Sequence, residues 1–105
     1  MTRIIYERNE YAVTLIGHAG YAEEGKDIVC AGISALTEAM MQRVAGRDCF
    51  QPAYGMHKKK GIVRVNLTPK TKYAKWCARE MLDTVCAGYA SIAKQFPDHV
   101  KYEVR

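Results

Sequence analysis

His18 and Cys30 stand twelve positions apart in the run GHAGYAEEGKDIVCAGIS at positions 17–34, and their types suggest chemistry. A cysteine attacks a carbonyl as its thiolate, and an imidazole can take the thiol proton and return it to a departing amine. Asp27 precedes the apolar run that Cys30 sits in, and its carboxylate suits a helix N-cap. Cys30 then falls in the first helical turn, where the partial positive charge of the helix N-terminus favours a thiolate. The backbone N–H groups of Cys30 and Ala31, in that same turn, are expected to stabilise the oxyanion of an acyl-transfer step. Such a step requires no metal and no cofactor.

Each residue also has a plainer reading. A histidine beside a loop is commonly a structural hydrogen-bonding residue, and a lone cysteine is commonly inert packing. Asp27 either orients the imidazole as the third member of a triad or only caps the helix, and the local sequence favours the cap. Ser34, one turn beyond Cys30, either hydrogen-bonds a substrate or returns its hydroxyl to a helix carbonyl. Gly20 and Gly25 flank Glu23 and Glu24 in a stretch without apolar periodicity, so residues 19–26 read as a mobile loop.

The elements that must position these groups follow from periodicity. Residues 3–7 and 11–17 are short β-prone runs around Arg8, Asn9 and Glu10, as in a hairpin. Strict alternation puts Val13, Leu15 and Gly17 on one face of the second run and Thr14, Ile16 and His18 on the other. From Asp27 a helix is expected to about residue 45, with Ile33, Leu36, Met40 and Val44 as its buried stripe and Gly46 ending it. Residues 49–54 form a weaker strand with Pro52 in it, 55–61 a turn, and 62–67 a firm strand with alternating Val63, Val65 and Leu67. Thr68 and Pro69 resemble a cap and a first-turn proline. They introduce a long helix whose apolar face is read as Tyr73, Trp76, Cys77, Met81, Val85, Tyr89, Ile92 and Phe96, stopped by Pro97. Val100, Tyr102 and Val104 alternate in a last strand. The order ββαββαβ predicts an α+β fold of two layers, two helices packed on a largely antiparallel sheet.

At 105 residues, 49% apolar and 26% charged, the chain has the profile of one soluble globular domain, residues 1–105. No stretch approaches the roughly 18 apolar residues of a membrane span, and the charged N-terminal residues do not read as a signal peptide, so a cytoplasmic location is expected. Four cysteines without a CxxC pair lack structural zinc spacing. Free thiols are the reading for a reducing compartment, although an even count leaves disulfides open. The net charge of +5 draws on His57, Lys58, Lys59 and Lys60, a run that either meets RNA or forms a solvated loop tip.

The central run closely resembles the signature of the bacterial ribosomal-processing cysteine proteases called Prp, also described as YsxB-like. Gly17, His18, Ala19, Gly25, Asp27, Ile28, Val29, Cys30, Ala31 and Ser34 all fit that pattern, as does the interval from histidine to cysteine. The resemblance implies a catalytic dyad of His18 and Cys30. It implies removal of a short N-terminal extension from large-subunit ribosomal protein number twenty-seven, at a hydrophobic, aromatic-rich site. It further implies a homodimer and a loop, here residues 19–26 with Gly20, Tyr21 and Gly25, that orders over the substrate. Direct RNA contact is compatible with this reading but not required, and no membrane partner is expected. The alternative is a ribosome- or RNA-associated binding module in which Cys30 is ordinary packing. A third reading is a member that keeps the fold without that substrate.

Overall fold

The computed structural model describes residues 1–23, 25–57 and 61–105. Strands β1 (Thr2–Glu7) and β2 (Ala12–Ile16) form the expected hairpin, closed by a single 3-10 turn over Arg8–Glu10. Helix α1 covers Ile28–Val44, strands β3 and β4 cover Ala53–His57 and Ile62–Asn66, helix α2 covers Lys72–Gln95, and strand β5 covers Val100–Val104. The sheet runs β3-β4-β2-β1-β5; only the β1–β5 pair is parallel, so the largely antiparallel α+β expectation holds.

Register aligns the apolar residues in rows. Ile4 pairs with Leu15 on one side and Tyr102 on the other, and Leu15 pairs in turn with Val63. Tyr6, Val13 and Val65 form the next row. These side chains pack in one core with Val29, Ile33, Met40 and Val44 of α1 and Ala74, Ala78, Leu82 and Tyr89 of α2. Burying one side chain such as Leu82 contributes roughly 1.5–3 kcal/mol, which is why the alternation, rather than individual strand propensity, sets the register. On the opposite face Arg64 pairs with Glu7 and donates to Thr14 Oγ1 at 3.2 Å, in the row of the buried Ile5.

The third strand and the start of α2 differ from the sequence expectation. The third strand is Ala53–His57 rather than 49–54, so Gly55 lies within a strand and not in a turn. Residues 49–51 instead fold against the segment before α2: Lys70 N–H donates to the Cys49 carbonyl at 2.9 Å and Gln51 N–H to the Thr68 carbonyl at 3.1 Å, burying Phe50. Lys58, Lys59 and Lys60 lie outside the described residues.

Helix α2 is capped by Thr71, whose hydroxyl accepts from Ala74 N–H at 3.0 Å. Thr68, expected as that cap, takes a left-handed φ of 43° in the preceding turn. The buried face of α2 is also rotated. Ala74, Ala78 and Leu82 are fully buried, whereas Tyr73 and Trp76 stack on each other in solvent at 67% and 63% exposure. Small residues let the helix lie close to its neighbours. At Gly88 an added Cβ would meet Leu36 Cδ1 of α1 at 2.7 Å, so the half-buried Leu36 packs directly on the α2 backbone.

Candidate active site

Between α1 and the β2–β4 side of the sheet lies an open cleft of about 380 Å³. His18 and Cys30 both line it. Cys30 arrives as the third residue of α1, because Asp27 caps that helix: its Oδ1 accepts from Val29 N–H and Cys30 N–H, each at 3.0 Å. His18 arrives from the end of β2 by a route the alternation did not predict. Simple pleating would put it on the face opposite Leu15, yet both residues line the cleft. The break is Gly17, with φ of +86°. Its N–H donates to the Gly61 carbonyl at 2.7 Å, and a Cβ there would sit 2.5 Å from the Met1 carbonyl oxygen. Only glycine fits both the conformation and the space.

Asp27 makes the capping choice plain. Its second oxygen, Oδ2, accepts from Tyr21 N–H at 3.1 Å and Ala22 N–H at 3.4 Å, so both oxygens serve backbone groups and neither holds the imidazole. These bonds, the one from Cys30 N–H foremost, hold its carboxyl below the usual carboxylate range. The same clasp bears on residues 19–26. Ala19 is buried and the Tyr21 ring packs edge-on against Phe96 and His99, so this loop has apolar anchors that its sequence did not reveal. Gly20 and Gly25 are exposed at left-handed positions.

The electrostatics of Cys30 also depart from expectation. Burial pushes the thiol up, and the Asp27 carboxylate adds to this; the Ala19 N–H pulls the other way. This direction is opposite to the one expected for a thiol at a helix start. Nor are the helix-start N–H groups open to an oxyanion: that of Cys30 serves Asp27 Oδ1, and that of Ala31 serves the Asp27 carbonyl at 3.0 Å.

Among the remaining candidates, Ser34 lines the cleft one turn beyond Cys30. Thr37 and Thr84 return their hydroxyls to helix carbonyls, but Ser34 does not do so among the described residues. Ala31, Gly20, Tyr21 and Gly25 are not in the cleft wall. Thr37, Glu38 and Met41 are, and the sequence reading missed them although they continue the Cys30–Ser34 face at helical spacing. Gly61 was missed too; its Cβ position lies 3.6 Å from His18 Nε2, beside the ring. No local signal marks it.

All four cysteines are free thiols, Cys86 fully buried and Cys30, Cys49 and Cys77 partly so. No group of three or more His, Cys, Asp or Glu side chains among the described residues is placed to hold a metal ion. Nor is any described helix long and apolar enough to cross a membrane.

Comparison with known proteins gives the family and the fold. The sequence pattern of a family described as "Cysteine protease Prp" matches residues 1–101. No curated protein gave a significant match. Among solved structures, the essential ribosomal processing protease Prp from S. aureus, in complex with a covalently linked product peptide, superimposes with a TM-score of 0.78 at 21% identity. That match covers 99% of this chain and 97% of the other. The same protease with a substrate peptide gives a TM-score of 0.72 at 20% identity over the same shares. SMU.848 from Streptococcus mutans gives 0.74 at 23% identity, covering 98% of this chain and 90% of that one.

Proposed function

Because the chain belongs to the Prp cysteine protease family, we propose that it is an endopeptidase that removes the N-terminal extension of large-subunit ribosomal protein number twenty-seven by cysteine–histidine acyl transfer. The observation that carries this reading is the presence of His18 and Cys30 in the wall of one cleft, delivered there by different elements.

The cleft suits an extended apolar peptide. Leu15, Ile33, Met41, Ile62 and Val63 line it. From Cys30 to Met41 the helix wall rises roughly 16 Å, the length of about five extended residues. Ser34 and Thr37 add hydroxyls along the same wall.

In the first step the Cys30 sulfur bonds to the scissile carbonyl carbon while His18 takes the thiol proton. Burial pushes the Cys30 thiol up, which leaves the removal of its proton to His18. Collapse of the tetrahedral intermediate breaks the C–N bond, and His18 gives the proton to the leaving amine. Water, deprotonated by His18, then attacks the thioester; the new carboxyl group leaves and Cys30 regains its proton. In this reading the protein acts in the cytoplasm as a homodimer, and the exposed Tyr73–Trp76 pair is apolar surface suited to a second copy.

The test is incubation of reduced, folded protein with a peptide spanning that extension and its junction, read by fragment masses. Two fragments from a single cut are expected, and Cys30→Ala should bind the peptide without cutting it. An intact peptide after long incubation would overturn the reading.

A further inference from the structure

Attack by Cys30 requires His18 within reach of the thiol proton, so whatever fixes the chain at His18 bears on the reaction. The next residue, Ala19, is buried. Residue 19 lies beyond the end of β2, in no helix or strand. Its position is instead set from the far end of the chain, eighty residues on: His99 Nδ1 lies 2.9 Å from the Ala19 carbonyl oxygen. A carbonyl oxygen only accepts, so Nδ1 carries the proton in this bond.

His99 is itself held at both ends of its backbone. Its N–H donates to the Phe96 carbonyl at 2.9 Å, and its carbonyl accepts from Thr2 N–H at 2.9 Å. Its ring meets Tyr21 edge-on with centroids 5.5 Å apart, and Tyr21 meets Phe96 in the same way at 5.3 Å. The segment carrying His18 is therefore gripped at Gly17 by Gly61 and at Ala19 by His99.

We propose that His99 is a positioning residue for the protease reaction: by holding the Ala19 carbonyl it fixes the backbone next to His18 and keeps that imidazole in the cleft wall. This rests on the protease reading of the same site. No contact between His99 and substrate is involved.

The test compares H99F, which keeps a ring for Tyr21 but has no donor, with H99N, whose side-chain amide places a donor near the Nδ1 position. Two readouts are taken on the full chain. The first is the pH dependence of iodoacetamide alkylation at Cys30, followed by mass spectrometry of its peptide, and it needs no cleavage activity. H99F should require a higher pH than the wild type, and H99N should follow the wild type. The second is peptide cleavage, where H99F should lose on the order of 10²-fold in kcat with KM little changed, and H99N should recover most of it. An H99F protein that matches the wild type in its alkylation profile overturns the proposal, as does an H99N protein impaired as deeply as H99F. Should H99F fail to fold, H99L takes its place in both readouts. A wild type that cuts no peptide sinks the protease reading, while the alkylation profile still judges the tether.

Discussion

Replacing Gly17 with alanine, beside the same change at Gly61, isolates what delivers His18 to the cleft. Both glycines are left-handed, at φ +86° and +61°. An alanine held in that region costs roughly 1–2 kcal/mol. Part of this is offset, because alanine lowers the entropy of the unfolded chain by about 0.4–1 kcal/mol. At Gly61 that is nearly the whole account, since the nearest atoms to an added Cβ lie at 3.5 and 3.6 Å, ordinary contact. At Gly17 the Cβ would lie 2.5 Å from the Met1 carbonyl oxygen, a backbone atom that cannot swing aside. Relieving such an overlap costs a further 1–3 kcal/mol or so. The expectation is a loss below about 1.6 kcal/mol for Gly61→Ala and about 1–4.6 kcal/mol for Gly17→Ala, a large share of a typical stability of roughly 5–15 kcal/mol. Urea unfolding with linear extrapolation measures both. Equal losses in the two variants, or a Gly17→Ala protein within about 0.5 kcal/mol of the wild type, would refute the reasoning, since that is the range of an unremarkable surface change.

Asp27→Asn should keep α1 capped, because asparagine caps as well as aspartate, while turning an amide toward the loop. Hydrogen exchange at Tyr21 and Ala22 should speed up, and removal of the carboxylate charge should bring Cys30 alkylation to lower pH; an unchanged alkylation profile would contradict the charge effect. Asp83 accepts from Arg8 and from Tyr6 Oη at 2.7 Å, and the Arg8 guanidinium foremost holds its carboxyl below the usual range. Its folded pKa is depressed, so its stabilisation is present above the unfolded carboxylate value and is lost as pH falls through the folded one. Asp83→Ala should therefore lower the melting temperature at neutral pH, with the gap to the wild type closing in strong acid. Tyr89, fully buried with its hydroxyl bonded to Thr37, has its pKa pushed up to about 12 by burial. Tyr89→Phe should cost about 0.5–1.5 kcal/mol in the same urea assay, and a stabilised variant would mean the bond is not worth its desolvation.

Much of this protein was legible locally. Period-2 and helical spacing marked the strands and both helices, and Asp27 marked the helix start that puts Cys30 in its first turn, because a cap is recognised within a few residues. The Ser34 position followed from the same helical spacing. Where the reading went astray, the deciding contact came from elsewhere in the chain. The face of α2 was set by Ala74 and Ala78 fitting against the core, not by the larger Tyr73 and Trp76. The third strand moved because residues 49–51 pair with the segment before α2.

The same division runs through the candidate active site. Residue types and spacing supplied a thiol and an imidazole twelve positions apart and put the thiol at the start of a helix. Tertiary structure decided that His18 turns to the cleft, through Gly17 pressed between Met1 and Gly61. It also decided that burial pushes the Cys30 thiol up. The physical reason is that caps and periodicity are properties of neighbouring residues. Desolvation, close backbone approach and the grip of His99 on Ala19 arise only when segments far apart in the chain are packed together.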